Sequence, residues 1–559
     1  MAPVVLVAGL VVWATYHFEL RPWPGSALPL PAVTYLLNLR TLVGHAERGH
    51  GAFLMGRVSM HGWWYYFPVT FLLKTPLPLL ALLGLAAWDS VRRRRFGVEA
   101  AWLLFPLGYF AFALASSLNI GYRYILPLDP FLVLYVAKLA EPDSIWCARW
   151  RPLVLPLLVV GSLGTMLWLH PHYLAYFNLL AGGPAGGYRY LVDSNLDWGQ
   201  DLKHLKAYLD GAGVDEVWLG YFGTADPAYY GLRYRSLFSA DSSRLAEGFT
   251  PLNPAPGWYA ISATVLQGTY WPEPDIFDWF RRQQPVRQVG YSIFVYRVEP
   301  DLDPPAWLGL CYTPAPPLSE AEAARRLGRD DLRVVGFDCG QAWVYPAGDK
   351  PGWYLVPLAQ DGRGTLAGEA LGSAPIVYRE RGLRAVPGYT LYRWEPGQAA
   401  PVQMHVHQAW ASATLAPMEA ESLTPLEVPA ELAGEVAFLG YALSASRITP
   451  GAELVLTTLW QVHRHPSDPA LSLFAHVVSP AGTLGVGDGL GFPAVQWLPG
   501  DIFLQRNRIP IAEEAQPGRA WVQVGMYSLA SGNRLPVFQG QQPVADRLLL
   551  TPIMVGDGQ

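Results

Sequence analysis

Four side chains near two apolar stretches have the chemistry to bind an anionic group. Lys74 lies in an otherwise apolar stretch, with His61 and Tyr66 at its start, and Arg123 begins a second apolar stretch. A charge inside an apolar segment is costly, which makes such residues functional candidates. A cation at such a place can stabilise negative charge. We therefore predict that Arg123 and Lys74 bind an anionic group and that Tyr66 and His61 add hydrogen-bond donors.

Each of these residues also has a structural alternative. Lys74 can extend its ammonium group to a membrane interface. Arg123 can pair with Asp129 or with a lipid headgroup. His61 and Tyr66 can belong to an aromatic belt at that interface, because Gly62–Pro68 is rich in Trp and Tyr. These alternatives stay open at the level of sequence.

The sequence does not identify a catalytic base. Glu19, Glu47 and Asp129 are the carboxylates in or near the same stretches, but none of them forms a pair at an informative spacing. We therefore leave the catalytic residues unknown.

An alternating acidic pattern at Asp193, Asn195 and Asp197 resembles the start of a calcium-binding loop. Its sixth position is Trp198 instead of glycine and its twelfth is His204 instead of glutamate, so the pattern fails at the positions that define such loops. Helix capping and turn formation explain these residues better.

Other metal and cofactor motifs are equally weak. His405 and His407 alternate on a predicted strand without a third ligand. The sequence contains no glycine-rich phosphate loop and no His-Glu-x-x-His motif. We predict neither a metal site nor a cofactor. Cys311 and Cys339 are able to form a disulfide if both are exported, and Cys147 is expected on the cytoplasmic side.

Composition excludes several classes of protein. The 559 residues carry a net charge of −5 without a basic stripe, which argues against a nucleic-acid partner. Apolar residues make up 51%, which argues against disorder. Residues 1–170 contain 13 basic and 7 acidic residues, and residues 171–559 contain 27 and 38. This contrast predicts a membrane part followed by a soluble part.

Five apolar stretches in the first part approach the length of about 20 residues that spans a bilayer. They are residues 2–18, 66–88, 99–118, 122–140 and 152–170. Basic residues mark cytoplasmic loops, and Arg92–Arg95 and Arg149 with Arg151 lie between these stretches. The expectation is a multi-pass protein of the cell membrane, with its N-terminus inside and the chain after residue 171 extracytoplasmic.

The predicted fold class is mixed: an α-helical multi-span membrane domain, then an extracytoplasmic α/β region and a C-terminal β-sandwich. The predicted domains are 1–170, transmembrane; 171–300, α/β; 301–425, α+β; and 426–559, β-sandwich. The predicted strands of the α/β region are Tyr188–Val192, Glu216–Phe222, Trp258–Thr264 and Tyr291–Val298. A helix is predicted to start at Asp197, with Leu202, Leu205 and Leu209 on its apolar face, and another helix is predicted at Glu320–Leu327. After residue 430, strand patterns separated by Pro and Gly support the sandwich; they are Val436–Ala442, Glu453–Trp460, Leu471–Val478, Trp521–Tyr527 and Arg547–Met554. We find no internal repeat of solenoid period.

Three parts of the sequence resemble a known family. They are Gly62–Pro68 (GWWYYFP) with Leu72–Pro78 (LLKTPLP), Asn119–Pro127 (NIGYRYILP) and Tyr188–Leu202 (YRYLVDSNLDWGQDL). In combination they resemble bacterial membrane glycosyltransferases of the protein-mannosyltransferase-like branch of the GT-C superfamily. The resemblance covers residues 16–230 and, more weakly, residues 430–555.

The resemblance implies transfer of a sugar from a polyprenyl-phosphate donor to a carbohydrate or protein acceptor outside the cytoplasm, with membrane lipid as a further partner. It implies donor binding by Arg123, Lys74, Tyr66 and His61. Such enzymes carry their acidic residues on the first external loop of a multi-span N-terminal half, which would precede Met1. The expectation is therefore the C-terminal portion of a transferase, or a relative that has lost that half, with donor binding but little turnover.

The alternative is a non-catalytic membrane-anchored protein that binds carbohydrate or envelope partners.

Overall fold

The computed structural model describes residues 2–26, 28–94, 96–141, 151–240, 244–362, 364–382, 387–396, 409–411 and 424–556. The predicted strand with His405 and His407 lies outside these residues, as does Cys147. Two compact units make up the chain. The first unit is Met1–Glu247 with Pro256–Val298, and the second unit is Gly248–Ala255 with Glu299–Gln559.

Helices and strands are numbered in chain order. The helices are α1 Ala2–Thr15, α2 Val33–Arg48, α3 Tyr66–Lys74, α4 Leu77–Arg93, α5 Phe96–Ala115, α6 Asp129–Ala137, α7 Arg151–Leu169, α8 Leu202–Gly211, α9 Ala263–Leu266, α10 Asp278–Arg282, α11 Glu320–Leu327 and α12 Leu366–Leu371. The first unit contains the strands β1 Leu20–Pro22, β2 Pro29–Pro31, β3 Ala52–Leu54, β4 Arg57–Ser59, β5 Val217–Gly220, β6 Tyr234–Ser236, β7 Gly257–Ser262, β8 Arg287–Val289 and β9 Ile293–Val298.

The second unit has many more strands. They are β10 Trp307–Cys311, β11 Arg333–Phe337, β12 Ala342–Tyr345, β13 Gly352–Pro357, β14 Ile376–Glu380, β15 Tyr389–Trp394, β16 Ala409–Ala411, β17 Thr424–Leu426, β18 Ala430–Leu432, β19 Val436–Leu443, β20 Arg447–Ile448, β21 Glu453–Val462, β22 Leu471–Ser479, β23 Gly482–Val486, β24 Ile502–Pro510, β25 Gly518–Ser528, β26 Val537–Gln539, β27 Gln542–Ala545 and β28 Leu548–Val555.

The predicted multi-span membrane domain is wrong. Among the described residues, one helix segment, Pro152–Leu169 in α7, is long and apolar enough to cross a membrane. A second candidate exists only if α3 and α4 are counted as one broken span, because the chain bends by 113° between these two helices. The predicted fold class therefore has to be corrected to a chain rich in β-sheet, with at most two candidate spans in its described part.

Proline explains much of this difference, because it cannot continue a helix hydrogen-bond ladder. Pro76 separates α3 from α4 inside the predicted span 66–88. In the predicted span 122–140, the 3₁₀ turns Tyr122–Tyr124 and Leu126–Leu128 precede the nine-residue helix α6, and the second of these turns contains Pro127. Over the residues that the structure describes, the other apolar helix segments are Val5–Thr15 and Trp102–Ala115, and both are shorter than a span.

The first unit contains a five-stranded mixed sheet in the order β6-β5-β7-β9-β8. Strand β5 is parallel to β6 and β7, whereas β9 is antiparallel to β7 and β8. Helix α8 covers this sheet through Leu202, Leu205 and Leu209, the apolar face that the leucine spacing predicts. Three strands predicted between residues 216 and 298 are present as β5, β7 and β9.

Two local predictions beside this sheet are wrong. The predicted strand Tyr188–Val192 is a turn, in which the Tyr190 amide donates to the Gly187 carbonyl. The predicted helix start at Asp197 is displaced, since α8 begins at Leu202 with Asp201 as its N-cap. Gly199 has φ of +74°. This left-handed conformation interrupts a helix before it can form.

The second unit repeats this sheet topology. Its five-stranded sheet has the order β11-β10-β13-β15-β14, with β10 parallel to both neighbours and β15 antiparallel to both of its own. In both sheets the strand that comes first in the chain pairs with the second and the third, and the last strand joins the third to the fourth. The two sheets therefore share one connectivity, which the sequence did not reveal.

The rest of the second unit contains two larger antiparallel sheets. One has the order β12-β24-β21-β19-β18-β26-β27, and the other β17-β16-β28-β25-β22-β23 with β20 beside β28. Side chains from both sheets share one apolar core, including Trp460 of β21 and Leu473 of β22. The five strands predicted after residue 430 are present as β19, β21, β22, β25 and β28, whereas β18, β20, β23, β24, β26 and β27 were missed. Helix α11 has the predicted bounds, with Ser319 as N-cap and Gly328 in the left-handed conformation at its end.

A disulfide joins Cys311 at the end of β10 to Cys339 just after β11. These strands are parallel neighbours, and Cys311 pairs in register with Phe337. The Cα atoms of the two cysteines are 5.3 Å apart. A disulfide bridges such a separation easily. The sequence left this pairing open because parallel neighbours cannot be read from spacing.

We predict that this disulfide stabilises the second unit. The two cysteines are separated by 28 positions in the sequence. A cross-link that closes a loop of this kind typically contributes about 2–4 kcal/mol by restricting the unfolded chain. The variant Cys311→Ser/Cys339→Ser should show a lower urea midpoint by tryptophan fluorescence, whereas Cys147→Ser should not. Three free thiols in the purified, unreduced chain would contradict the pairing.

Candidate functional site

Asn195 connects three distant parts of the first unit. Its Nδ2 donates to the Tyr66 hydroxyl at 2.9 Å, and its Oδ1 accepts from the Tyr122 amide at 3.0 Å. Its backbone carbonyl accepts from Lys74 Nζ at 2.6 Å. Asn195 is buried, so these partners satisfy groups that water cannot reach. The three stretches that carry the family resemblance therefore meet at one amide.

Close backbone approach explains two glycines in these stretches. Gly121 has φ of +133°, and a Cβ there would lie 3.0 Å from Ser194 Cβ. Gly62 has φ of +64°, and a Cβ there would overlap the side chain of Asn119. The Asn119 side chain accepts a hydrogen bond from the Trp63 amide at 2.6 Å. Larger residues at either glycine would push these segments apart.

The structure places Lys74 against backbone oxygens. Its Nζ donates to the Leu174 carbonyl at 2.8 Å and to the Asn195 carbonyl, and it lies 4.4 Å from the Phe177 ring centroid. Two of its three N–H groups are thus used to hold the segment 174–195. This geometry describes a residue that positions the site, and the predicted contact with phosphate stays a prediction.

Arg123 lies over two aromatic rings, one of which belongs to the segment that contains Asn195. Its guanidinium carbon is 5.0 Å from the ring centroid of Trp198 and 5.8 Å from that of Tyr124. Asp129, the alternative partner, instead accepts from the Tyr122 hydroxyl at 2.9 Å. A cation–π contact of this kind attracts the guanidinium to the ring and leaves N–H donors for a ligand.

His61 and Tyr66 have different surroundings. Tyr66 is buried beside Asn195, whereas His61 is exposed and lies next to Gly49. The structure therefore brings Arg123, Tyr66 and Lys74 together around the segment 193–198 and places His61 at the surface.

A cavity of about 510 Å³ opens beside Trp198 within the first unit. Half of its fourteen described lining residues are aromatic: Trp198, Tyr221, Phe222, Phe238, Tyr270, Trp271 and Phe277. Phe222 and Tyr270 are stacked, with ring centroids 5.7 Å apart. A concave, mainly apolar wall with a few polar groups is typical of a small-molecule site.

Asp193 is the acidic residue of this cavity. Its Oδ2 accepts from the Tyr270 hydroxyl at 2.9 Å, and His50 Nε2 lies 3.0 Å from the same hydroxyl. The hydroxyl has one proton, which it gives to Asp193, so His50 donates to the Tyr270 oxygen. The result is a connected chain of His50, Tyr270 and Asp193 at the edge of the cavity.

Burial raises the pKa of Asp193, while the hydrogen bond from Tyr270 and the charge of Arg123 act in the opposite direction. Burial also raises the pKa of Tyr270, and the negative charge of Asp193 adds to this effect, so the phenol stays protonated as a donor. The influence of Arg123 on both groups shows that the cation and the carboxylate share one electrostatic environment.

Asp197 supports the turn that presents Trp198. It is buried, and its carboxylate accepts from the amides of Thr264 and Gly199 at 3.2 and 3.3 Å. Burial raises the pKa of Asp197 to about 7, and these hydrogen bonds limit the rise. The predicted role of Asp197 in forming a turn agrees with this position.

Sequence reasoning missed Asp193 as a cavity residue and missed Tyr270 and His50 altogether. Tyr270 is 77 residues from Asp193 and 220 from His50. No local pattern in one sequence links such positions. The backbone of Asp193 is left-handed, with φ of +53°. Such a conformation is strained for a residue other than glycine, and it marks this loop in the structure.

A second cluster of chemically active groups lies elsewhere in the first unit. His172, Asp201 and His204 offer three ligand atoms that all lie within 4.8 Å of one another. The sequence predicted no metal site, because these residues come from two segments that only the fold brings together.

Comparisons with known proteins do not identify the chain. No protein-family model matches it, and no curated protein matches it by sequence. Solved structures with partial similarity include the C-terminal domain of wzt, at 10% identity and a TM-score of 0.17, covering 23% of this chain and 78% of that one. Another is a CARDB domain from Pyrococcus furiosus in complex with di-metal ions, at 8% identity and a TM-score of 0.15, covering 23% and 97%.

A third is AvmM, which catalyses macrocyclization in alchivemycin A biosynthesis, at 12% identity and a TM-score of 0.14, covering 24% and 93%. These TM-scores are too low to support an argument about function.

We predict that Asn195→Ala destabilises the first unit by about 1–3 kcal/mol. The physical reason is that the half-buried Tyr122 amide and the buried Tyr66 hydroxyl lose their partner. The expected readout is a lower melting temperature of the purified chain. Asn38→Ala, at an exposed position in α2, is the matched control and should change the melting temperature little. Equal melting temperatures for the wild type and Asn195→Ala would contradict the connecting role of Asn195.

Proposed function

We propose that the first unit binds a polyprenyl-phosphate-linked sugar and contributes to transfer of that sugar to an acceptor hydroxyl outside the cytoplasm. The observation that carries this proposal is the Arg123 guanidinium, which lies over the ring of Trp198, a residue that lines an aromatic cavity together with Asp193. The resemblance of the three meeting stretches to membrane glycosyltransferases supports the same assignment.

The cavity suits a sugar bound to a phosphate. Aromatic faces pack against the C–H groups of a sugar ring, and a carboxylate such as Asp193 accepts hydrogen bonds from its hydroxyls. The guanidinium of Arg123 matches phosphate oxygens with two parallel N–H donors. In this arrangement the sugar enters the cavity and the phosphate stays at Arg123, outside it.

The proposed reaction uses two groups. An acceptor hydroxyl attacks the anomeric carbon, the bond from that carbon to the phosphate oxygen breaks, and the phosphate keeps the electron pair. Arg123 stabilises the negative charge on the departing polyprenyl phosphate. Asp193 takes the proton of the attacking hydroxyl, and its raised pKa makes it a stronger base than an ordinary aspartate.

Membrane attachment brings such a site to a lipid-borne donor. Helix α7 exposes large apolar side chains along its length, among them Leu153, Leu157, Leu163 and Trp168. We propose that α7 inserts into the cell membrane. The disulfide in the second unit supports an extracytoplasmic location for that unit, since disulfides persist in oxidising compartments.

A second candidate function is carbohydrate binding without transfer. The lining of the cavity favours this function, because its described residues include seven aromatic side chains and the carboxylate of Asp193. The two functions differ in one measurable quantity, the rate of sugar transfer, which depends on Asp193 only if the protein is a transferase.

We predict that Arg123→Ala weakens binding of a polyprenyl phosphate by about 10–100-fold, the equivalent of one charge-assisted hydrogen bond. Arg123→Lys should restore only part of the affinity, because the planar fork is lost. Binding is measured with the full chain in liposomes that contain polyprenyl phosphate. Arg189→Ala is the matched control, since Arg189 also lies on an aromatic ring, that of Tyr188. Equal binding by Arg123→Ala and wild type would contradict the phosphate site.

We predict that Asp193→Asn lowers sugar transfer by about 10²–10⁴-fold and changes donor binding by only a few-fold. The rate at low donor concentration should rise with pH as Asp193 loses its proton, with a midpoint above the ordinary aspartate pKa because burial raises it. The assay uses the full chain with polyprenyl-phosphate mannose or glucose and a glycan acceptor. Binding of the donor without transfer by the wild type would support the second function.

A further inference from the structure

The imidazoles of His172 and His204 face one oxygen of a buried carboxylate. His172 follows the apolar helix α7, Asp201 is the N-cap of α8, and His204 lies in the first turn of α8. Nδ1 of His172 is 3.3 Å from Asp201 Oδ1, and Nδ1 of His204 is 3.0 Å from the same oxygen. The cluster is independent of the proposed sugar cavity, since none of these three residues lines it.

Other residues fix the orientation of this carboxylate. Asp201 Oδ2 accepts from the Ser292 hydroxyl at 2.7 Å and from Gln200 Nε2 at 3.0 Å. A Cβ at Gly290 would lie 2.1 Å from Asp201 Cγ, so the chain also closes over the carboxylate from that side. Oδ2 is therefore occupied, and Oδ1 is directed at the two imidazoles. Supporting hydrogen bonds of this kind orient ligands in metal sites.

The distances match the edges of a zinc coordination polyhedron. Zinc binds histidine nitrogen and carboxylate oxygen at about 2.0–2.2 Å, which puts neighbouring ligand atoms of a tetrahedron about 3.3 Å apart. Two of the three ligand separations here are 3.0 and 3.3 Å, and all three are within 4.8 Å. His172 and His204 are partly exposed, whereas Asp201 is buried, so an ion can enter from the histidine side.

We propose that His172, Asp201 and His204 bind one Zn²⁺ ion, with a water molecule as the fourth ligand. The donor set of two histidines and one carboxylate is one that zinc uses in proteins. In the metal-free cluster, the Nδ1–H groups of the two histidines donate to Asp201 Oδ1. Binding of Zn²⁺ to the Nδ1 atoms displaces these protons. The ion ties the segment after α7 to the start of α8, and through Ser292 to the turn before β9.

The first test measures zinc on the full wild-type chain in detergent. After removal of metal with EDTA, the chain should bind one equivalent of Zn²⁺ and gain about 5 °C or more in melting temperature at saturating zinc. Co²⁺ in place of Zn²⁺ should give the visible absorption of a four-coordinate nitrogen–oxygen site. A chain that binds no zinc, or that binds Mn²⁺ or Fe²⁺ in preference, overturns the proposal.

Variants locate the ion. His172→Gln and His204→Gln should each abolish stoichiometric zinc binding, and Ser292→Ala should weaken it by about 10–100-fold through loss of the supporting hydrogen bond. His170→Gln is the matched control, because His170 is near in sequence but lies beside the Tyr173 hydroxyl. Zinc binding that is unchanged in both His172→Gln and His204→Gln would show that the cluster is a hydrogen-bonded network only.

Discussion

The buried amide of Asn195 is the constraint on which the site of the first unit depends. A buried amide must use its donors and acceptors, and Asn195 does so with groups from α3 and from the turn at Tyr122. Its backbone carbonyl accepts a hydrogen bond from Lys74 Nζ, which also donates to the Leu174 carbonyl. Segments that lie far apart in the sequence are thereby held in one register, because moving any of them would leave a polar group buried without a partner.

This register decides what the neighbouring residues can do. The segment that contains Asn195 also carries Asp193 and Trp198, so fixing the amide fixes a carboxylate on one side and an aromatic ring on the other. Asp197 strengthens the same turn through the amides of Gly199 and Thr264. Arg123 then lies over the ring of Trp198, and its charge lowers the pKa of Asp193, against the rise caused by burial. A cation, a carboxylate and an apolar wall are thus held together by backbone geometry, which is the preorganisation that binding and catalysis require.

The two five-stranded sheets share one strand connectivity, but the segments between their strands have different roles. In the first unit, the segments between strands β5 and β7 and the segment after β7 provide much of the wall of the cavity. In the second unit, a disulfide fastens the corresponding first and second strands, and β12 leaves to pair with β24 of the larger sheet. The two sheets share the order and direction of their strands without a sequence repeat that would have revealed the likeness.

The sequence by itself determined the features that depend on neighbours along the chain. The leucine spacing of α8, the capped helix Glu320–Leu327 and the five strands β19, β21, β22, β25 and β28 follow from periodicity, capping and turn residues. Apolar content alone overstated the membrane spans, because proline breaks at Pro76 and Pro127 decide how long a helix becomes.

Tertiary structure alone decided the pairing of Cys311 with Cys339, the hydrogen bond of Tyr270 to Asp193 and the approach of His172 to Asp201. Each of these contacts joins residues that are many turns or strands apart along the chain. The energy that brings them together comes from packing and from satisfying buried polar groups, which no local pattern encodes.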